Sequence, residues 1–511
     1  MKSSLKTHKK KQIPTRFVWA ISVTFIQTAA IIAMVLLLKL FVPYFDIAII
    51  LTQIYVLGTI VSSDENPDFK IPWLLVVLLL PIAGFMIYFI FGKRDLSKNY
   101  VARMEKAERS LQKSGNDYLK KLQKVSPQAY ADALLIERLS ENGLYMNTQV
   151  NYFPSGEAVF ESMLTDLRHA EKFIFIESFI IEEGLFWNSI LEILLAKVKA
   201  GVEVKVIYDD IGSMLTLPGD YYQTLTQMGI EAVPFAFLKG QASSEFNNRS
   251  HRKIMIIDGQ IAYTGGINLA DEYINEIEKF GYWKDVGIRL NGEATNELTN
   301  LFLIDYYTNQ LDASLDFSKY YLAQPVVNDS FVLPFGDGPS PVYSRHVSKQ
   351  AIINLLASAK YYVHITTPYL IVDDELANAI ERTALRGVDV KIITPGIPDK
   401  KIIFAMSRAN YVRLLNSGVE IYEYTPGFIH SKIYLADGQV GIIGTVNLDY
   451  RSLVHHFENS VWLYQDAVLT EIEADFLTTL AESRRVSLDE LKKDPLHKII
   501  NILLRAFSPL L

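Results

Sequence analysis

The chain has 511 residues, 50% hydrophobic and 21% charged, with a formal net charge of −7 and no cysteine. That length calls for more than one domain, and the missing cysteines exclude disulfide scaffolds, thiol nucleophiles and Cys-ligated metal centres. The apolar and aromatic content excludes a disordered chain, and the acidic balance argues against nucleic acid as a partner. Mean hydropathy is +0.14, high for a soluble enzyme, and the excess sits at the front. Residues 17–38 and 71–92 contain no charged residue, and 40–61 carry only Asp46. Each is long enough to cross a hydrocarbon core of about 30 Å as a helix. Region 1–92 is therefore expected to be a membrane region with two or three spans, near 17–39, 43–61 and 71–91. The first stretch is too long for a signal peptide. Lys6, Lys9, Lys10, Lys11 and Arg16 precede the spans, and Lys93, Arg94 and Lys98 follow them. The positive-inside rule puts both clusters in the cytoplasm. Two crossings satisfy this, as do two plus a re-entrant or interfacial segment. The loop 62–69, with Asp64, Glu65 and Asp68, exerts no cytoplasmic pull.

Residues 93–145 turn polar and charged, with Leu111, Leu119 and Leu122 at near-helical spacing, and predict an amphipathic helical connector. A pattern then occurs twice, over 146–325 and 326–485. Apolar runs at 172–179 and 360–369 each precede a helical stretch and then a second β-branched run, 201–207 or 387–393. Short β-branched runs alternating with helices predict α/β units around a mostly parallel sheet. The repeated order predicts two homologous domains, each giving half of one site. In 486–511, Leu496, Ile499, Ile500, Leu503, Leu504 and Phe507 form an apolar stripe. It fits a C-terminal amphipathic helix docked on the core or lying in the bilayer interface.

Each repeat delivers the same signature. The first has His251, Lys253 and Asp258, followed by Gly265, Gly266 and Asn268. The second has His430, Lys432 and Asp437, followed by Gly444, Thr445 and Asn447. Side chains two apart on a strand share a face, so each His and Lys converge, and the Gly-rich turn brings an Asn back to them. An imidazole, an ammonium and an amide together make an anion site containing a nucleophile. Two copies in equivalent places exclude coincidence. The other histidines, including His169, His364, His455 and His456, lack the motif and read as structural. Asp209–Asp210 and Asp373–Asp374 have no partner histidine at ligand spacing and read as solvated loop acids. No metal and no cofactor is expected.

These paired segments resemble the phospholipase D superfamily. The strings 248–253, 444–452 and 457–459, with Asn66, Pro67, Trp73, Pro81, Gly84, Tyr88, Phe91 and Gly92, resemble bacterial cardiolipin synthases. The resemblance implies an α/β fold in which N-terminal transmembrane helices precede two pseudo-symmetric phospholipase D-type domains sharing one active site. It implies a multi-pass protein of a bacterial cell membrane that joins two phosphatidylglycerols into cardiolipin and glycerol through a phosphohistidine. His251 would be the nucleophile and His430 the general acid/base. Lys253, Lys432, Asn268 and Asn447 would hold the phosphate oxygens, with Thr445 adding a hydroxyl and Arg451 a headgroup contact. Asp285 and Glu458 match carboxylates that orient the histidines. Asp258 and Asp437 belong to the catalytic motif, yet lie beyond four strand residues and are expected to be structural. The alternatives are a hydrolytic phospholipase D or another phosphatidyltransferase, and an inactive membrane scaffold binding anionic lipid.

Overall fold

The computed structural model describes residues 44–491 except 64, 93–95, 113–116, 237–246, 311–315 and 344, with scattered positions in 22–42 and at 504 and 507–510. The expected span 17–39 and the C-terminal stripe 496–507 therefore lie largely outside the described residues. Helix α1 (Phe45–Ser62) is, among the described residues, the one helix long and apolar enough to cross a membrane. It is the segment whose sequence, with Asp46, marks it least clearly.

The stretch 71–91, expected to cross as one helix, does not. It forms α2 (Pro67–Leu79) and α3 (Pro81–Phe91). Pro81 lacks an N–H and drives Leu80 out of the helical region, to φ −126° and ψ 75°. Helix α3 folds back on α2, so that the Trp73 and Tyr88 rings meet at 5.4 Å. At Gly84 a Cβ would collide with the Val76 carbonyl oxygen, so this close approach requires glycine. The two arms are about 20 and 16 Å long, each short of a bilayer core. Val56 and Ile60 of α1 pack on Trp73 and Val77 of the hairpin.

The connector is three helices, α4 (Lys98–Glu108), α5 (Tyr118–Val125) and α6 (Pro127–Ser140). Ser97 and Ser126 cap α4 and α6 by accepting from Tyr100 N and Ala129 N. Leu122 is fully buried, and Leu111 and Leu119 pack on the main core.

The first domain has a seven-stranded sheet ordered β1-β8-β6-β5-β2-β3-β4. Its strands are β1 (Thr148–Phe153), β2 (Phe173–Ser178), β3 (Glu203–Asp209), β4 (Glu231–Phe235), β5 (Ile254–Ile257), β6 (Ile261–Gly265) and β8 (Gly287–Gly292). The short β7 (Tyr282–Lys284) stands outside this sheet. The second domain repeats the order with β9 (Phe331–Asp337), β18 (Glu458–Tyr464), β16 (Val440–Gly444), β15 (Ile433–Ala436), β10 (Tyr362–Thr366), β12 (Asp389–Pro395) and β13 (Glu420–Tyr424), and adds β19 (Ser483–Arg485) at the edge. Three further short strands, β11 (Leu370–Ile371), β14 (Gly427–Ile429) and β17 (Leu448–Asp449), lie outside it.

Neither sheet is mostly parallel. In the first, β2-β3-β4 are parallel and the remaining pairings antiparallel; in the second, β10-β12-β13 are the parallel part. The motif itself accounts for one antiparallel pairing in each sheet. Asp258 and Gly259 have φ of 54° and 68°, and Asp437 and Gly438 have 54° and 61°. Asp-Gly pairs with positive φ close tight hairpins, so β5 turns straight back into β6, and β15 into β16.

Candidate active site

The site forms where each domain's motif lies beside a strand of the other. His251 N donates to Phe457 O at 2.8 Å, and Phe457 N donates to Arg249 O at 2.9 Å. On the other side β14 pairs with β7, and His430 N donates to Lys284 O at 2.7 Å. These crossings bring each histidine to an acid from the opposite domain. His251 Nδ1 lies 3.0 Å from Glu458 Oε2, and His430 Nδ1 lies 2.7 Å from Asp285 Oδ2. Both carboxylates are fully buried. With each Nδ1 engaged by a carboxylate, Nε2 is the ring nitrogen left for chemistry.

Lys253 Nζ donates to His251 O at 2.7 Å and lies 5.5 Å over the Phe179 ring. Lys432 Nζ donates to His430 O and lies 2.9 Å from His430 Nδ1. Burial pushes the Lys253 ammonium down to about 7, opposed by Glu458 and helped by Lys432. It pushes Lys432 down to about 8, against the pull of Asp285 and Glu458. Burial raises Glu458 to about 7 and Asp285 to about 6, opposed chiefly by Lys253 and Lys432 respectively. Both histidines are held well below the usual imidazole value, by burial first and the two lysines next. The centre is thus an anion site built of groups poised to change charge near neutral pH.

The halves are not identical. Around His430 stand Trp283 and Tyr273, each with its ring at 5.4 Å, and Phe428 at 5.9 Å. Around His251 stand Phe179 at 5.1 Å and His456 at 5.6 Å. His456 and Trp283 each precede the orienting acid by two residues, so an imidazole replaces an indole on the His251 side. At Gly266 a Cβ would collide with Asp285 Oδ1. Its counterpart Thr445 has its hydroxyl bonded to Glu458.

The comparisons with known proteins converge. The family model for the cardiolipin synthase, phospholipase D-like domain matches residues 163–297 and 352–480. The phospholipase D–nuclease N-terminal model matches 47–93. The cardiolipin synthase of Halalkalibacterium halodurans is 33% identical over 91% of this chain and 94% of its own. The chain belongs to the cardiolipin synthase family of the phospholipase D superfamily. It is an α/β phosphatidyltransferase with two phospholipase D-like domains. Another member, the cardiolipin synthase of Alkalihalophilus pseudofirmus, is 32% identical over 90% of this chain and 92% of its own. An uncharacterized protein of Streptococcus mutans is 44% identical over 88% of this chain and 98% of its own. The phosphatidylserine synthase of Haemophilus influenzae shares the fold, with a TM-score of 0.58 at 16% identity, over 74% of this chain and all of its own.

Within this family member the remaining residues fall into three groups. Asn268 lies next to Tyr273, whose ring faces His430, and Asn447 lies next to Asp449. Asn268 accepts from Ile180 N and donates to Tyr273 OH, which leaves its second amide hydrogen for a ligand. Asn447 pairs with Asp449, and its Oδ1 has no hydrogen-bond partner among the described residues. Thr445, by contrast, does not present its hydroxyl to a phosphate. The hydroxyl donates to Glu458 and accepts from Asn459 N, because a fully buried carboxylate must be supplied with donors. Arg451 is exposed and donates to Asn247 Oδ1 at 3.4 Å.

Asp258 and Asp437 lie away from the site. Asp258 accepts the N–H groups of Glu171, Lys172 and Phe173, and Asp437 those of Lys360, Tyr361 and Tyr362. Of the four acids expected to be solvated, Asp209, Asp210 and Asp373 are instead buried, and Asp374 is exposed. Asp209 clamps Arg249 and Ser250 N at the entry to the first motif, and Asp373 caps a helix and pairs with Lys349. Nor is His456 remote from the site, although no spacing rule links it to His251. Arg252, between His251 and Lys253, is fully buried, donating to Asp305 at 2.8 Å and to Glu458 O at 3.1 Å. Among the described residues one group, His251, His456 and Glu458, brings three potential metal-ligand atoms within 4.8 Å of one another.

Proposed function

We propose that the enzyme condenses two phosphatidylglycerols into cardiolipin and glycerol, working from within a bacterial cell membrane. The observation that carries this is the crossed pair of buried carboxylate–histidine dyads, one to bond phosphorus and one to move the proton in each step of a two-step displacement. In the first step His251 Nε2 attacks phosphorus, the bond from phosphorus to the glycerol headgroup breaks, and His430 gives that oxygen its proton. In the second, the headgroup hydroxyl of another phosphatidylglycerol loses its proton to His430 and attacks phosphorus, and the bond to His251 breaks. Lys253, Lys432 and the amides of Asn268 and Asn447 hold the non-bridging oxygens. Glu458 and Asp285 fix the tautomers and balance the imidazolium charge. The diester's own negative charge offsets the lysines, so His430 gains its proton as substrate binds.

In this reading the 146–325 and 326–485 domains each supply half of the centre. Residues 17–39 and α1 cross the bilayer, and α2–α3 re-enter it from the enzyme side as a hairpin. Arg451 contacts a headgroup. The test is product analysis with full-length enzyme in phosphatidylglycerol vesicles. Cardiolipin plus an equal amount of glycerol is expected, with both lost in His251→Ala and His430→Ala. Phosphatidate plus glycerol would identify a hydrolase instead, and full synthesis in either variant would end the proposal.

A further inference from the structure

The two half-sites are buttressed differently. In the first domain, the segment from Asn268 to Asp285 is held by its own domain and, along β7, by β14 and Asp475 of the second. Asp271 accepts from Leu185 N and Phe186 N at 2.9 and 2.8 Å, and Asn275 accepts from Trp283 N at 2.7 Å. In the second domain, the segment from Asn447 to Glu458 is shorter and winds into a π-helical turn, Arg451–His455. Single π turns are rare and frequent at functional sites.

The outer side of that turn is covered by the start of the membrane hairpin. The Phe69 ring, 2% exposed, packs edge-on against Tyr450 at 5.1 Å and His455 at 6.2 Å. Tyr450 OH donates to Asp68 Oδ2 at 3.2 Å, and the same oxygen accepts from Asp374 N at 2.9 Å. Asn66 Nδ2 donates to Asp373 at 3.1 Å. The inner side bears on the catalytic centre. Ser452 Oγ donates to Glu458 Oε1 at 2.6 Å, and His456, whose N–H closes the turn on Arg451 O, faces the His251 ring.

We propose that Asp68 and Phe69 of the membrane hairpin are positioning residues for phosphatidyl transfer, clamping the turn 451–455 so that Ser452 fixes Glu458 on His251. The anchor and the His251 half-site are then one mechanical unit, while the His430 half-site stands without the membrane segment. This rests on the role proposed for Glu458 beside His251. Each link is a direct contact, so loosening the first should disorder the last without removing the lipid site.

The experiment uses full-length enzyme in phosphatidylglycerol vesicles, with kcat, KM and vesicle flotation read for each variant. Phe69→Ala should lower kcat by about tenfold or more, since small misplacements of a catalytic group cost that much, with KM and flotation unchanged. Phe69→Leu should restore most of the rate. Ser452→Ala should lose about as much as Phe69→Ala, and the double variant no more than either single one, because both act on the same dyad. Tyr450→Phe, which keeps the ring and removes the Asp68 contact, supplies the same reading if Phe69→Ala does not fold, with a drop in kcat of roughly two- to threefold. Wild-type kcat in Phe69→Ala or Tyr450→Phe, a loss confined to KM or flotation, or multiplicative losses in the double variant would overturn the inference. An inactive His251→Ala beside a fully active Phe69→Ala would overturn it alone and leave the proposed reaction standing.

Discussion

Neither half of the chain owns a complete dyad. Glu458 serves His251 and Asp285 serves His430, so the acids and the imidazoles assemble only when the halves dock. The same burial that creates the dyads moves the charge changes of their acids and of the two motif lysines towards neutral pH. Glu458 and Asp285, raised to about 7 and about 6, must be ionised to hold the imidazoles. Lys253 and Lys432, lowered to about 7 and about 8, must be protonated to hold phosphate. For phosphatidylglycerol, kcat/KM is therefore expected to climb as the acids ionise between about pH 6 and 7 and to fall as the lysines deprotonate between about pH 7 and 8. Both limbs belong to the coupled cluster rather than to single residues. A bound phosphate favours the ammonium forms, so the alkaline limb of kcat should lie higher than that of kcat/KM. Initial rates from pH 5 to 9 check this, and a flat profile would contradict the assigned burial. The histidines, lysines and asparagines are legible in the sequence because the same spacing is written twice, although His251–Lys253 and His430–Lys432 lie just before β5 and β15 rather than on them. The crossing of the acids is not, since it depends on which strands of the two domains pair. Ser452 and His456 are equally silent, being placed by a π turn that no residue spacing announces.

At the scale of elements, the motif's aspartates belong to hairpins rather than to chemistry. Asp258 holds a positive φ and gathers three backbone N–H groups from the start of β2, and Asp437 does the same at the start of β10. The four strand residues between Lys253 and Asp258 span about 13 Å, too far for contact with phosphorus. Asp258→Ala loses charge-assisted hydrogen bonds and places a β-carbon in the left-handed region. It should lower Tm by roughly 5–10 °C while leaving kcat per folded molecule near wild type, the reverse of His251→Ala. Thermal unfolding in detergent beside turnover measures both, and unchanged Tm with lost turnover would return Asp258 to the catalytic group. The two domains are legible in the sequence because the α/β pattern is written twice with the same motif at the same place. Mostly parallel sheets do not follow from that pattern, because each Asp-Gly pair is a turn as well as part of the motif and sends its strand back antiparallel. The single span over 71–91 fails for a similar reason: hydropathy averaged over a window does not register that Pro81 breaks the helix.

At the scale of the molecule, the proposed membrane topology turns on the loop 62–69. Its acidic residues give no direction by the positive-inside rule, but Asn66, Asp68 and Phe69 rest on the second domain. The C-terminal end of α1 therefore faces the enzyme, and the hairpin, too short to cross, returns to the same face. With 17–39 and α1 as the two crossings, the lysines before the first span and Lys98 after the hairpin share one side. That satisfies the charge rule without help from the loop. Because the chain has no cysteine, single introduced ones can report this topology. Ser3→Cys and Glu105→Cys should react with an impermeant maleimide from the same face of sealed vesicles, and Tyr44→Cys, just before α1, from the opposite face. Labelling of Ser3→Cys and Glu105→Cys from opposite faces would require an odd number of crossings. That result would overturn the two-crossing topology.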